Sequence, residues 1–312
     1  MRGKVIAVTL NPSIDKTITI EHLVPYGLNR VVSTRTDPGG KGINVAKVLK
    51  NFGADVTVTG LIAGSQGKLL LDYLKNADIP ADFLKNPGET RTNLKIFDQS
   101  VNKTTEINET GFHVTPDVLD SFRQKFKKAV KEADIVVLSG SLPPGVPEDF
   151  YAECIHTAKN QSVKCVLDAD AGALAQGVKA VPFAVKPNLH ELELLSGQTF
   201  SSRNEVAKAA GKLIETGIQI VIVSMGPDGA IIADRNKTYK ANSWKIEEKS
   251  ATGAGDSMVA SLAYSILNKE SLYDIAKITT AAGTVTASKE GTQTCTLDEV
   301  LHSLANVTVT RL

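Results

Sequence analysis

Short, nearly unbroken apolar runs alternate along this chain with longer stretches whose apolar positions recur every three or four residues. The runs are Val5–Thr9, Val56–Leu61, Ile135–Ser139, Cys165–Asp168, Ala184–Lys186 and Ile218–Ser224. Such bounded runs fit strands covered on both faces. Between them Ile43–Phe52, with Ile43, Ala46, Leu49 and Phe52 on one face, predicts a helix. So do Lys68–Ala77, Pro116–Val130, Glu148–Asn160 and Asn204–Glu215, and helical pattern dominates from Ser257 to Ala305. Strand–helix alternation predicts an α/β fold, a mainly parallel sheet covered on both faces through right-handed crossovers. Two segments break the rhythm. Thr17–Thr36 and Arg91–Ile107 alternate apolar and polar residues without a crossover helix nearby. They predict half-buried strands of a small second sheet, a lid over a cleft, inserted at about 11–36 and 88–110.

Ligands of open parallel sheets bind beyond the carboxyl ends of the strands. Asn11–Asp15, Ser139–Gly145, Asp168, Lys186-Pro187-Asn188 and Ser224-Met225-Gly226 all follow predicted strands. Each alone reads as loop punctuation, and their shared edge makes them a candidate site. A chain of 312 residues, 42% apolar, can bury a substantial core. With no repeat or linker, 1–312 reads as a single unit. A formal charge of +1 gives no reason to expect a nucleic-acid groove or membrane-surface binding. The three cysteines, Cys154, Cys165 and Cys295, are widely spaced and fit a reducing, cytoplasmic setting. No apolar run reaches the roughly 18 residues of a membrane span, and the run after Lys4 is too short for a signal peptide.

The densest chemistry lies in Ala251-Thr252-Gly253-Ala254-Gly255-Asp256, which runs into the helical pattern Ser257–Leu267. Unpaired N–H groups of a first helical turn attract anions, and the helix dipole adds to that attraction. Gly253, Ala254 and Gly255 let the backbone approach closely, and Asp256 is placed to take a proton from a nucleophilic hydroxyl. The plainer reading is a tight turn with Asp256 as a cap. Pro38-Gly39-Gly40-Lys41-Gly42-Ile43-Asn44 opens another helix, where backbone N–H groups, Lys41 and Asn44 suit an anionic or hydroxyl-rich ligand. It lacks the spacing of a Walker A loop, and Gly64-Ser65-Gln66-Gly67-Lys68 reads as a turn. No dinucleotide fingerprint occurs, which argues against a nicotinamide dehydrogenase. In Lys186-Pro187-Asn188, Asn188 could cap a helix with Glu191 completing a capping box.

Gly39-Gly40-Lys41-Gly42-x-Asn44 and Gly253-Ala254-Gly255-Asp256 together resemble the two signatures of the ribokinase-like (PfkB) carbohydrate kinases. Asn11-Pro12-Ser13-Ile14-Asp15, Glu89–Asn93, Thr105–Glu109 and Ser139–Pro143 resemble its phosphosugar branch, the 1-phosphofructokinases and tagatose-6-phosphate kinases. The resemblance spans essentially the whole chain. It implies a three-layer α/β/α sandwich and ATP-dependent phosphorylation of a ketohexose phosphate. Fructose 1-phosphate comes first, with tagatose 6-phosphate or fructose 6-phosphate as the alternative. It implies that Asp15, Asn44, Ser139 and the Gly39-Gly40 backbone meet the sugar, and that Lys41 and Arg91 hold its phosphate, with Arg30 helping from a neighbouring subunit. ATP is implied to meet Lys186, Asn188, Ser224, Gly226, Gly229, Gly253 and Gly255, with the Ala281–Thr284 segment near the adenine. Mg2+ would sit at Asn188 and Glu191, the latter through water. A homodimer through the lid is also implied. Ala251 departs from the hydroxyl residue or proline usual at that place, which bears on a monovalent-cation contact. Asp168-Ala169-Asp170-Ala171-Gly172 departs from the usual Asp-x-Ser-Gly. A catalytically silent sensor is the reading from another class, and the intact Asp256 argues against it.

Overall fold

The computed structural model describes residues 3–250 and 252–312. The first strands are β1 (Lys4–Thr9), β2 (Ser13–Ile20), β3 (Ser33–Gly39), β4 (Asp55–Ile62), β5 (Ala81–Lys85), β6 (Arg91–Asp98) and β7 (Lys103–Asn108). They are followed by β8 (Ile135–Ser139), β9 (Lys164–Asp168), β10 (Ala184–Val185), β11 (Ile220–Ser224), β12 (Ala230–Ala233), β13 (Thr238–Asn242) and β14 (Thr308–Arg311). The main sheet runs β5-β4-β1-β8-β9-β10-β11 with every neighbour parallel; β12, β13 and β14 then extend it antiparallel.

The helices are α1 (Lys41–Asn51), α2 (Gly64–Asn76), α3 (Pro116–Val130), α4 (Phe150–Lys159), α5 (Ala171–Lys179), α6 (Leu189–Ser196), α7 (Arg203–Glu215), α8 (Ala254–Leu267), α9 (Leu272–Ala287) and α10 (Leu297–Ser303). Successive strand residues point to opposite faces, so the unbroken apolar runs feed two cores. Val5 and Ala7 of β1 join one with α1, α2, α8 and α9, while Ile6 and Val8 join the other with α3, α4, α5 and α7. Each fully buried Val, Leu or Ile stabilises the sandwich by about 1.5–3 kcal/mol. This is the three-layer α/β/α architecture that the alternation predicts. Among the described residues no helix is long and apolar enough to cross a membrane.

The lid is a four-stranded sheet, β3-β2-β6-β7, in which β2 and β6 pair in parallel although they lie far apart in the chain. The segment between β2 and β3 carries no strand and leaves Tyr26, Leu28, Val31 and Val32 exposed.

Several expectations are corrected. Gly64–Gly67 is the first turn of α2, not a free turn. Ala63 cannot cap that helix, and the Glu89 carboxylate does so from outside, accepting from the Ser65 and Gln66 N–H groups at 3.1 and 2.6 Å. The strand predicted over Ala184–Lys186 ends at Val185, and the one from Ile218 starts at Ile220. Helix α8 starts at Ala254 rather than Ser257, so the Gly-rich motif is its first turn.

Candidate active site

Asp168 ends β9, Lys186 follows β10 and Ser224 ends β11, and all three face a cleft of about 960 Å³ under the lid. The cleft therefore lies off the carboxyl ends of the parallel strands. On its floor Gly253 caps the start of α8, with a φ of 83° and ψ of −7°, left-handed backbone suited to glycine. Ser257 donates the first helical bond back to Gly253 at 2.9 Å. The N–H groups of Ala254, Gly255 and Asp256 therefore have no acceptor within the helix, and no described side chain caps them.

The Asp256 carboxylate is buried in this turn, and Asn44 Nδ2 donates to its Oδ2 at 2.8 Å. Burial pushes its pKa up to about 6, with the nearby Asp168 charge adding to the rise and Lys41, Asn44 and Lys186 opposing it. Such a carboxylate is ionised at neutral pH yet more basic than an exposed aspartate, which suits a general base. Asn44 Oδ1 has no partner among the described residues.

A charge cluster, buried at Asp168 and Lys186 and partly exposed at Lys41 and Asp170, flanks the base. Lys186 Nζ lies 3.3 Å from Asp168 Oδ1, and Lys41 Nζ lies 3.7 Å from the same oxygen and 2.6 Å from Asp170 Oδ1. Burial alone would raise Asp168, but the two ammonium groups hold it below the usual carboxylate range. Burial works against the Lys41 charge as well, yet Asp168, Asp170 and Asp256 outweigh it and raise its pKa. Lys186 Nζ would meet a Cβ placed on Gly255 at 3.5 Å, which puts a cation against the α8 terminus. The carboxylates of Asp168 and Asp170 balance the two ammonium charges, and the free amides with Lys186 beside them form the place where a phosphoryl group could be held.

The lid contributes a polar face. Pairing of β2 with β6 sets Ser13 beside Arg91, Asp15 beside Asn93 and Thr17 beside Lys95. Because alternate residues share a face, Arg91, Asn93 and Lys95 line the cleft together with Ser13 and Asp15. Asn93 Nδ2 donates to Asp15 Oδ1 at 3.2 Å, Ser13 Oγ donates to the same oxygen at 2.8 Å, and Asn93 Oδ1 is unpartnered among the described residues. Arg91 donates to the carbonyls of Asn11 and Glu109 at 3.2 and 3.1 Å and to Ser141 Oγ at 3.4 Å. Burial depresses its pKa, with Asp15, Asp170 and Glu109 opposing.

On the other side Asn188 and Glu191 form a complete capping box for α6, each side chain accepting the other's backbone N–H at 2.8 Å. Both also line the cleft, so the structural and the ligand-facing readings of this motif coexist. Burial raises the Glu191 pKa. Among the described residues no group of three or more His, Cys, Asp or Glu side chains could hold a metal ion. One amide and one carboxylate fit a magnesium ion that keeps most of its waters and takes phosphate oxygens. Ser224, Gly226 and Gly229 line the same wall, as do Gly283 and Thr284, while Ala281 and Ala282 are buried behind them.

The cleft thus gathers most of the residues singled out from sequence; Arg30, Ala281 and Ala282 lie outside its lining, as do two residues assigned to the sugar. Ser139 is fully buried beneath Asp168, donating to its Oδ2 at 3.4 Å, and does not reach the cleft. Gly39 does not line it either; a Cβ there would fall on the side chains of Asp15 and Ser13, so its bareness makes room for them. Ala251 lies outside the described residues. Sequence reasoning gave Asn93, Lys95 and Thr252 no part in the cleft, whereas Asp168 was expected there from its place at a strand end. The alternation Arg91-x-Asn93-x-Lys95 was the available signal for two of them.

A family model described as pfkB family carbohydrate kinase matches residues 8–299. The chain is 37% identical over 286 residues to a 1-phosphofructokinase of Xanthomonas campestris pv. campestris, covering 90% of each chain. It is 35% identical over 305 residues to a 1-phosphofructokinase of Bacillus subtilis, covering 98% of this chain and 99% of that one. Among solved structures, phosphofructokinase-2 from Escherichia coli in complex with potassium superposes with a TM-score of 0.91 at 28% identity, covering 97% of this chain and 98% of that one. With that match along nearly its whole length, the chain belongs to the pfkB family of carbohydrate kinases.

Proposed function

We propose that this protein is a 1-phosphofructokinase: it transfers the terminal phosphoryl group of ATP to the 6-hydroxyl of fructose 1-phosphate, giving fructose 1,6-bisphosphate and ADP. The observation that carries the chemistry is Asp256, a buried carboxylate raised to about 6, held by Asn44 at the uncapped terminus of α8. The substrate assignment draws on the 35–37% identity to proteins named 1-phosphofructokinase, against 28% for phosphofructokinase-2.

Asp256 takes the proton as the sugar oxygen attacks the γ-phosphorus, and the Ala254 and Gly255 amides with Lys186 offset charge on the moving group. Asp15, Asn93 and Asn44 accept and donate hydrogen bonds with sugar hydroxyls, holding the nucleophile in line. Arg91 holds the 1-phosphate, and Lys41 moves to it from Asp170. Asn188 and Glu191 would hold magnesium through water, and the ion would neutralise nucleotide phosphate charge. Ser224, Gly226, Gly229 and the Gly283–Thr284 turn of α9 border the nucleotide. The whole chain works as one kinase domain with an inserted lid.

Two copies pair through their lids: Tyr26, Leu28, Val31 and Val32, all in the stretch between β2 and β3, are exposed apolar side chains that a solitary lid would leave in water, Leu28 being 79% exposed. The exposed Arg30 lies in the same stretch and would reach the partner's cleft. Three buried free cysteines fit a reducing compartment, the cytoplasm.

The test is ADP release with product identification over fructose 1-phosphate, fructose 6-phosphate and tagatose 6-phosphate. The highest kcat/KM is expected with fructose 1-phosphate. Preference for tagatose 6-phosphate would move the assignment to the sister activity, and equal turnover of unphosphorylated fructose would refute a phosphosugar kinase.

A further inference from the structure

One cleft cation belongs to none of the roles above. Lys95, in the middle of β6, has a side chain only 13% exposed, and its Nζ bonds in two directions. It donates to Thr252 Oγ1 at 3.0 Å and lies 3.3 Å from Asp15 Oδ2. Asp15 belongs to the lid and faces the sugar, whereas Thr252 directly precedes Gly253, the residue that sets the α8 terminus. A buried ammonium is costly to leave unpaired, so its two acceptors are held relative to each other. Moreover Asp15 receives hydrogen bonds at its other oxygen from Ser13 and Asn93, which fixes the carboxylate that Lys95 grips.

We infer that Lys95 is a positioning residue that latches the lid to the anion-binding turn, so that the sugar-binding carboxylate and the amides meeting the phosphoryl group are set by one side chain. This rests on the kinase reading above. When the sugar engages Asp15, the lysine holds Thr252–Gly253 in register with it, and the C6 oxygen rather than water meets the phosphorus. Without the latch the same P–O bond to ADP breaks, but water becomes the acceptor, giving inorganic phosphate and a proton.

The experiment measures ADP released per sugar bisphosphate formed. Wild type should give a ratio close to one. Lys95→Met should lower kcat roughly ten- to a hundred-fold, as expected for a misplaced acceptor, with a much smaller change in sugar KM and a ratio clearly above one. Lys95→Arg should recover part of the ratio. Thr252→Val, which leaves the Asp15 pair intact, should raise the ratio without changing sugar KM, and adding it to Lys95→Met should cause no further loss. A Lys95→Met enzyme with raised KM and a ratio of one would make Lys95 a simple sugar-binding cation and overturn the latch. Independent, additive effects of the two substitutions would overturn it as well. The ratio is read with whichever ketohexose phosphate the wild type turns over fastest, so a different sugar overturns the substrate assignment alone.

Discussion

Replacing Asn44 by alanine should move the pH dependence of the enzyme, not merely weaken it. Asn44 Nδ2 donates to Asp256 Oδ2 at 2.8 Å, and both residues are buried. The bond favours the ionised carboxylate, so its loss raises the Asp256 pKa further above the value of about 6. A hydrogen bond to a charged group contributes about 1.5–3 kcal/mol. At about 1.4 kcal/mol per pKa unit, the rise is roughly one to two units. A general base works only when deprotonated, so the acidic limb of kcat/KM should move from near 6 to between about 7 and 8. Activity lost at neutral pH should then partly return near pH 9. The lost Asn44 Oδ1 removes a sugar acceptor and raises KM separately, which lowers the whole profile without shifting it. The assay is steady-state ADP release from about pH 5 to 9.5, with coupling enzymes in excess at each point. A profile that drops uniformly while its limb stays near 6 would refute the argument, leaving Asn44 as a sugar contact alone.

Asp256→Asn should abolish phosphoryl transfer while nucleotide binding, followed by calorimetry, persists. The same variant should be more stable at neutral pH. The folded-state pKa of Asp256 lies above its unfolded value, so its contribution to stability is full below about pH 4 and lost as pH rises through about 6. Removing the charge should recover on the order of 1–3 kcal/mol, seen as a Tm higher by a few degrees at pH 8 and not at pH 4. An unchanged Tm difference across that range would contradict the raised pKa. Arg91→Ala should raise the fructose 1-phosphate KM by roughly tenfold or more, leaving the ATP KM unchanged; an unaltered sugar KM would remove Arg91 from the phosphate site. Charged substitutions at Leu28 and Val32 should yield a monomer in sedimentation runs, and a variant that sediments like wild type would take the pairing surface elsewhere.

The central strands were legible because burial on both faces demands unbroken apolar runs, as in β1, β4, β8 and β9. Strand β5, Ala-Asp-Phe-Leu-Lys, was not, since it lies at the sheet edge and is mostly exposed. Nor was β14, a Thr-Val-Thr-Arg segment that becomes a strand only through pairing with β13. At the site, motifs that bend or cap the backbone were readable: Gly253–Asp256, Gly39–Asn44 and the Asn188–Glu191 box. Partners brought together through space were not. Nothing local to Lys41 announces Asp170, 129 residues away, and nothing local to Lys95 announces Thr252. Ser139 misled for a related reason. Its place at a strand end predicts exposure to ligand, but the neighbouring strand ends in Asp168, whose carboxylate lies over it.

Strand β3 ends at Gly39 and α1 begins at Lys41, so a single residue separates the lid from the helix that carries Asn44. That junction has no slack. Any redesign of the lid that changes how it sits over a new sugar will rotate or pull the first turn of α1, and with it the amide that tunes Asp256. Substrate range and pH optimum are therefore geared together, and a library selected for a new sugar at one pH will discard lids whose only fault is a shifted base. Screening each lid variant across a pH series would recover them.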